Sequence, residues 1–317
     1  MKKLIQTILI IIGFILLIKG ADILVDGSSA VAKKLHIPEI VIGLTIVSIG
    51  TSMPELFVST TSAIEGCSDI SIGNIIGSNI CNLLLILGLS AIIRPVTFQK
   101  QTKIIENPMS IILSIIFLII CNTGRYISRT EGLILIILFI LFLIYTIIMG
   151  IKKQKNMVLL ELEETKNISL IKNISLIILG ICILKIGGEL VVDKAQEIAR
   201  MLNVSEKIIG LTIVAVGTSL PELVTSVTAA IRGESDIAIG NIVGSNIFNM
   251  LLIIGLSAII QPMNYNITYN YQMIVLFIGM ILMTIFPFMK PKDKLSRIEG
   301  IIFVILYLIN LMVLIIK

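Results

Sequence analysis

The sequence predicts an all-α, polytopic membrane protein with ten transmembrane helices, arranged as two inverted-topology repeats of five. Three observations carry that prediction. The chain of 317 residues is 56% hydrophobic and only 14% charged, its Ile/Leu-rich runs are each near membrane length, and the sequence is duplicated within itself. Soluble domains carry about 25% charged residues, and a mean hydropathy of +1.05 calls for a solvent other than water. Long apolar runs without strand-like alternation select helices over a transmembrane barrel. At roughly 20 apolar residues per crossing, the length holds about ten crossings and no large soluble domain. That composition argues against an ordinary cytosolic enzyme.

Five apolar segments fill the first half, at about 4–24, 39–63, 70–93, 106–122 and 130–150. The first follows Met1-Lys2-Lys3, as a signal peptide would. No small-residue cleavage site comes after it and it has a counterpart later in the chain, so it is read as a membrane helix. The second is interrupted by Gly50-Thr51-Ser52-Met53-Pro54-Glu55, and the third carries Gly73-Asn74-Ile75-Ile76-Gly77-Ser78-Asn79-Ile80-Cys81-Asn82. The fifth opens at Ser128-Arg129-Thr130-Glu131-Gly132.

All five recur, at about 168–191, 206–230, 237–260, 270–288 and 297–316. Gly43–Pro95 aligns with Gly210–Pro262 without a gap, at an offset of 167 and with 38 of 53 positions identical. The first repeat is thus assigned to residues 1–150, a polar linker to 151–167 and the second repeat to 168–317. Five spans per repeat is odd, so the halves cross the membrane in opposite senses, as in secondary transporters. Placing both termini outside puts 16 of the 25 Lys and Arg residues inside, with the linker in the cytoplasm. The net charge of +5 therefore reads as membrane orientation in a lipid bilayer, not as nucleic-acid binding. The four cysteines form no CxxC pair and read as apolar filler.

Glu55 and Glu222 stand at matched positions inside apolar spans, where an ionisable group is costly and functional by default. No basic residue accompanies them. Pro54 and Pro221 cannot donate to the Gly50 and Gly217 carbonyls, so each span is expected to kink there and free carbonyl oxygen. Each motif then gathers a carboxylate, hydroxyls and carbonyls, which are hard ligands suited to Ca2+ or Na+. No His or Cys cluster competes for a softer metal. Asn74, Ser78 and Asn82 share one helix face, as do Asn241, Ser245 and Asn249. Such a stripe could complete a coordination shell or hold helices together by hydrogen bonds. The GxxxG pairs read as packing devices. Asp22, Asp26, Glu189 and Asp193, near the ends of the first helix of each half, read either as interfacial polar caps or as an ion-attracting vestibule.

At these motifs the chain resembles the cation/Ca2+ antiporter superfamily, specifically the sodium/calcium exchangers of prokaryotes. The resemblance implies that Glu55 and Glu222 are the central carboxylates shared by Ca2+ and Na+. It implies backbone carbonyls from Thr51 and Thr218, hydroxyls from Ser52, Ser219, Ser78 and Ser245 at flanking Na+ positions, and outermost carbonyls at Ser48 and Ala215. Asn82 and Asn249 would complete the middle of the site. Some relatives have Asp where this chain has Asn249, so a third acid is missing, which argues against potassium dependence. The linker is too short to stand in for the large regulatory domain of animal exchangers. The expected activity is electrogenic Ca2+ extrusion against Na+ at the cell membrane by a functional monomer, with no cofactor. A proton/Ca2+ antiporter using the same glutamates is the alternative.

Overall fold

The computed structural model describes residues 2–157, 169–202 and 215–316. The first half forms helices α1 (Lys2–Leu35), α2 (Glu39–Thr51), α3 (Met53–Ile64), α4 (Ser68–Ile93), α5 (Thr102–Asn122) and α6 (Arg129–Met157). The second forms α7 (Leu170–Met201), α8 (Leu220–Arg232), α9 (Ser235–Ile260), α10 (Tyr269–Phe288) and α11 (Arg297–Ile316). Among the described residues, eight helices are long and apolar enough to cross a membrane, or nine if α2 and α3 make one bent span. The remaining predicted span, 206–230, falls partly on residues 203–214, outside the described residues.

Two boundaries differ from the sequence reading. Helix α1 continues past the predicted end at 24 to Leu35. Its polar residues lower the local hydropathy, yet Leu24, Val25, Val31 and Ala32 form a buried stripe on one side, and a one-sided stripe is sufficient to hold a helix. Helix α6 likewise runs to Met157, into the stretch read as linker. Residues 158–167 of that stretch lie outside the described residues.

The expected kink is present. Helices α2 and α3 meet at 50°, and Ser52 between them has φ −84° and ψ 11°, in the sparsely populated bridge region between helix and strand. Pro54 sits in the first turn of α3, where its missing N–H costs least. Ser219 repeats this backbone, with φ −87° and ψ 9°, ahead of Pro221 in α8.

Helices α4 and α9 are the centre of the molecule. In their most apolar stretches 78% and 83% of residues are buried, against 33% in α1 and in α7. The larger apolar cluster joins α4 and α9 to α5, α6, α10 and α11, and includes the edge-to-face pair Phe139 and Phe248 at 5.6 Å. A smaller cluster joins α1 and α7 to α2, α8 and the start of α9. Within it α1 and α7 cross antiparallel at a glycine seam. A Cβ on Gly20 would stand 2.9 Å from the Leu184 nitrogen and 3.0 Å from the Gly180 carbonyl. Any larger residue there must push the helices apart, at a cost of about 1–3 kcal/mol.

The outward faces of α1 and α7, with Ile8, Ile11, Ile15, Ile178 and Ile186, are exposed and apolar, as a bilayer requires. Two short antiparallel strand pairs tie the halves together. Val96–Thr97 (β1) pairs with Lys294–Leu295 (β4), and Tyr126–Ile127 (β2) with Met263–Asn264 (β3). The second-half GxxxG pair is a true close approach: a Cβ on Gly240 would meet the Gly43 backbone at 2.8 Å. By the repeat offset, the mirror contact of Gly73 and Gly77 falls on residues 210–211, outside the described residues.

Candidate ion-binding site

The site is built where the broken spans cross α4 and α9. The breaks at Ser52 and Ser219 start new helices, so Glu55 and Glu222 each fall in a first helical turn. The positive helix end there favours an anionic side chain. Both glutamates are fully buried, and each is approached by a hydroxyl from the opposite half. Ser52 Oγ donates to Glu222 Oε1 at 2.7 Å, and Ser219 Oγ donates to Glu55 Oε1 at 3.2 Å. Ser78 Oγ adds a bond of 3.3 Å to Glu55 Oε1. Its mirror Ser245 does not copy this; its hydroxyl donates to the Ser48 carbonyl at 3.4 Å.

Asn82 and Asn249 lie in π-helical turns, Cys81–Ile86 and Phe248–Ile253, inserted into α4 and α9. A single π-helical turn within a helix is a local feature common at functional sites. Their amide nitrogens are bonded, Asn82 Nδ2 to Asn246 Oδ1 at 3.2 Å and Asn249 Nδ2 to Asn79 Oδ1 at 2.9 Å. Their oxygens are not. Asn82 Oδ1, Asn249 Oδ1, Glu55 Oε2 and Glu222 Oε2 are all buried without a hydrogen-bond partner. A buried, unpaired acceptor costs about 1–3 kcal/mol, and more when charged. The four, from matched positions, are hard oxygens of the type that Ca2+ and Na+ take as ligands. Among the described residues, no three His, Cys, Asp or Glu side chains are grouped so as to hold a metal ion between them.

The rest of the predicted set divides. Thr51 and Thr218 stand beside Glu222 and Glu55 respectively and also donate to the asparagine framework. Thr51 Oγ1 donates to Asn241 Oδ1 at 3.0 Å and Thr218 Oγ1 to Asn74 Oδ1 at 3.5 Å. Asn74 and Asn241 are framework and not free ligands, since Asn241 Nδ2 also donates to Ser226 Oγ at 2.9 Å and Asn74 Nδ2 to Ser59 Oγ at 3.1 Å. The Ser48 carbonyl accepts from the Ser52 amide at 3.1 Å as well as from Ser245. Ala215 opens the helical turn Ala215–Gly217 ahead of the second break.

Sequence reasoning missed Asn79 and Asn246. Both stand in the repeated Gly-Ser-Asn motif, but one position off the i, i+4 stripe that drew attention to their neighbours.

One end of the molecule carries a second polar cluster. Gly233, at φ 87°, takes the left-handed conformation that ends α8 and turns the chain. Arg232 beside it bonds Asp26 and, at 2.6 Å, Asp22, both on α1. A cleft of about 290 Å³ opens here between Asp26, Ser29, Lys33, Arg232 and Glu234. The polar-cap reading of Asp22 and Asp26 thus becomes an ion-paired contact between α1 and α8. Lys185 is half-exposed and stands 3.8 Å from Glu189.

The family described as "Sodium/calcium exchanger protein" matches residues 5–148 and 172–316. The chain is 30% identical to the sodium/calcium exchanger MaX1 of Methanosarcina acetivorans, over 97% of each chain. It is 35% identical to the inner membrane protein YrbG of Escherichia coli, over 86% of each. A solved structure of the sodium-calcium exchanger NCX_Mj soaked with Na+ and Ca2+ superposes with a TM-score of 0.83 at 36% identity, covering 96% of this chain and 97% of that one.

Proposed function

Because the chain belongs to the sodium/calcium exchanger protein family, we propose that it moves Ca2+ in exchange for Na+ at the site between Glu55 and Glu222. Antiport of a cation against Ca2+ is the family activity, so the chain is a transporter; Na+ as the counter-ion is the finer reading. The observation that carries it is the set of four unpaired buried oxygens on Glu55, Glu222, Asn82 and Asn249. Two carboxylates balance one Ca2+, which takes six to eight oxygen ligands. Hydroxyls of Ser52, Ser219, Ser78 and Ser245 and carbonyls at Thr51, Thr218, Ser48 and Ala215 supply the remainder. The same oxygens, shared less tightly, accommodate several Na+ at overlapping positions. Occupancy by one ion type then excludes the other.

Alternating access needs one part of the molecule to shift against another around this site. Helices α1 and α7, joined through the Gly20–Gly180 seam and with lipid-facing outer sides, form the part that slides across the buried α4–α9 centre. The chain acts as a monomer in the cell membrane, with both termini outside, repeats 1–150 and 168–317, and the linker 151–167 in the cytoplasm. It works without a cofactor.

The test is Ca2+ uptake into proteoliposomes under an outward Na+, K+ or H+ gradient, compared side by side. Na+ alone should drive uptake. Uptake driven by the proton gradient and indifferent to Na+ would replace this reading with proton/Ca2+ antiport through the same two glutamates.

A further inference from the structure

We infer that Asn79 and Asn246 are positioning residues that decide which end of the Asn249 and Asn82 amides faces the ions. The inference rests on the cation site proposed above. A primary amide has one face that accepts and one that donates. Turned one way, Asn249 gives a cation an oxygen; turned the other way, it presents N–H groups that repel it. Packing alone distinguishes the two poorly, because the ends have nearly the same shape.

The hydrogen bonds make the choice, and each step is forced. Asn79 Nδ2 lies 3.2 Å from the Asn246 backbone carbonyl. A carbonyl can only accept, so the nitrogen of Asn79 must be the atom on that side. Its Oδ1 therefore faces the other way, and an amide oxygen can only accept. Asn249, 2.9 Å away, must answer with Nδ2, which leaves Asn249 Oδ1 turned out of the pair and without a partner. The mirrored chain runs from the Asn79 carbonyl to Asn246 Nδ2 at 3.3 Å, and from Asn246 Oδ1 to Asn82 Nδ2 at 3.2 Å. It leaves Asn82 Oδ1 equally unpartnered. Asn79 and Asn246 are 0% and 2% exposed, so water does not offer these groups an alternative. The two chains interlock, because each positioning amide is oriented by the backbone of the other. Neither residue touches the carboxylates by any hydrogen bond, so both act through their neighbours.

The experiment is a double-mutant cycle read by calorimetric titration of the purified protein with Ca2+ in Na+-free buffer at pH 8.5. Asn79→Ala should raise the Ca2+ dissociation constant by roughly 10- to 100-fold, the usual effect of removing a group that orients a ligand. Asn79→Ser, whose hydroxyl can both donate and accept, should recover most of that loss. In an Asn249→Asp background the ionised carboxylate has oxygen on both sides and no wrong face to present. There Asn79→Ala should change the constant by no more than about twofold, the scatter of independent sites. Equal losses in the two backgrounds would mean that Asn79 only packs the helices, and would overturn the inference while leaving the ion site intact. The mirrored cycle of Asn246→Ala with Asn82→Asp repeats the test should one variant fail to assemble. Absence of Ca2+ binding by the parent protein would instead overturn the site reading, and this inference with it.

Discussion

Glu55 and Glu222 place ionisable groups where a membrane protein tolerates them least, at about 2.5–3.5 kcal/mol for each charged side chain on insertion scales. Each has one oxygen held by hydroxyls from the other half and one left without a partner. Glu55→Gln or Glu222→Gln keeps the shape and removes one of two charges facing the cation. Ca2+ transport should fall by roughly 100-fold or more, in line with the 3–5 kcal/mol of an uncompensated buried charge. Insertion and folding should persist, as followed by size-exclusion chromatography in detergent. Near-normal uptake by either variant would refute a shared site. These acids and their serines were legible in the sequence because Gly-Thr-Ser-x-Pro-Glu occurs twice. The division of labour among the asparagines was not. Asn74, Asn79 and Asn82 are the same residue type within nine positions, and only the bonds across the two halves separate framework, positioning residue and candidate ligand.

At the scale of the element, the proline foretold a kink near Gly50–Thr51, and the structure places it at Ser52 with a bend of 50°. Hydropathy could not foretell the last turns of α1, whose support comes from distant segments. There Ser29 Oγ donates to Glu39 Oε1 at 2.5 Å, and Glu39 in turn meets Glu234 in the turn between α8 and α9. The Glu234 carboxyl is pushed from 4.5 up to about 7, first by its hydrogen bond with Glu39, then by burial and the Glu39 charge, while Lys33 and Ser29 act the other way. Arg232 and Asp26 also face this cleft. Because its folded value is raised, the contact is fully present below about pH 4.5 and is lost as pH rises through about 7. The unfolding midpoint of the parent should therefore drop more between pH 5 and pH 8 than that of Glu234→Gln, which cannot ionise. Parallel pH profiles for the two proteins would show that this contact does not couple α1 to α9.

For the whole molecule, on the Na+/Ca2+ reading proposed above, two negative charges and a ring of neutral oxygens would favour three Na+ over two in exchange for one Ca2+, so each cycle should carry one net charge. Clamping the membrane potential of proteoliposomes with valinomycin and K+ should then change the Ca2+ rate, and indifference to potential would indicate a neutral exchange. The duplication also invites the assumption that the two sides of the membrane are equivalent, and Arg232 contradicts it. By the repeat offset its counterpart is Glu65, while those of Asp22 and Asp26 are Glu189 and Asp193. One end of α1 is clasped by a cation from α8, whereas at the corresponding end of α7 the repeat offset puts an acid, Glu65, where α8 carries Arg232, and Glu189 stands 3.8 Å from Lys185 of its own helix. If the clasp is made in only one of the two orientations, it lowers the population of the other. Ions arriving from the clasped side then see a dissociation constant larger by the inverse of that scarce fraction. Half-maximal transport should need more Ca2+ on the Arg232 side in vesicles of known orientation, and Arg232→Gln should narrow the difference between sides. An unchanged difference would assign the asymmetry to another part of the chain. Two copies of one architecture, wired with opposite charge at a single corner, would then behave as a rectifier that admits ions more readily from one compartment than from the other.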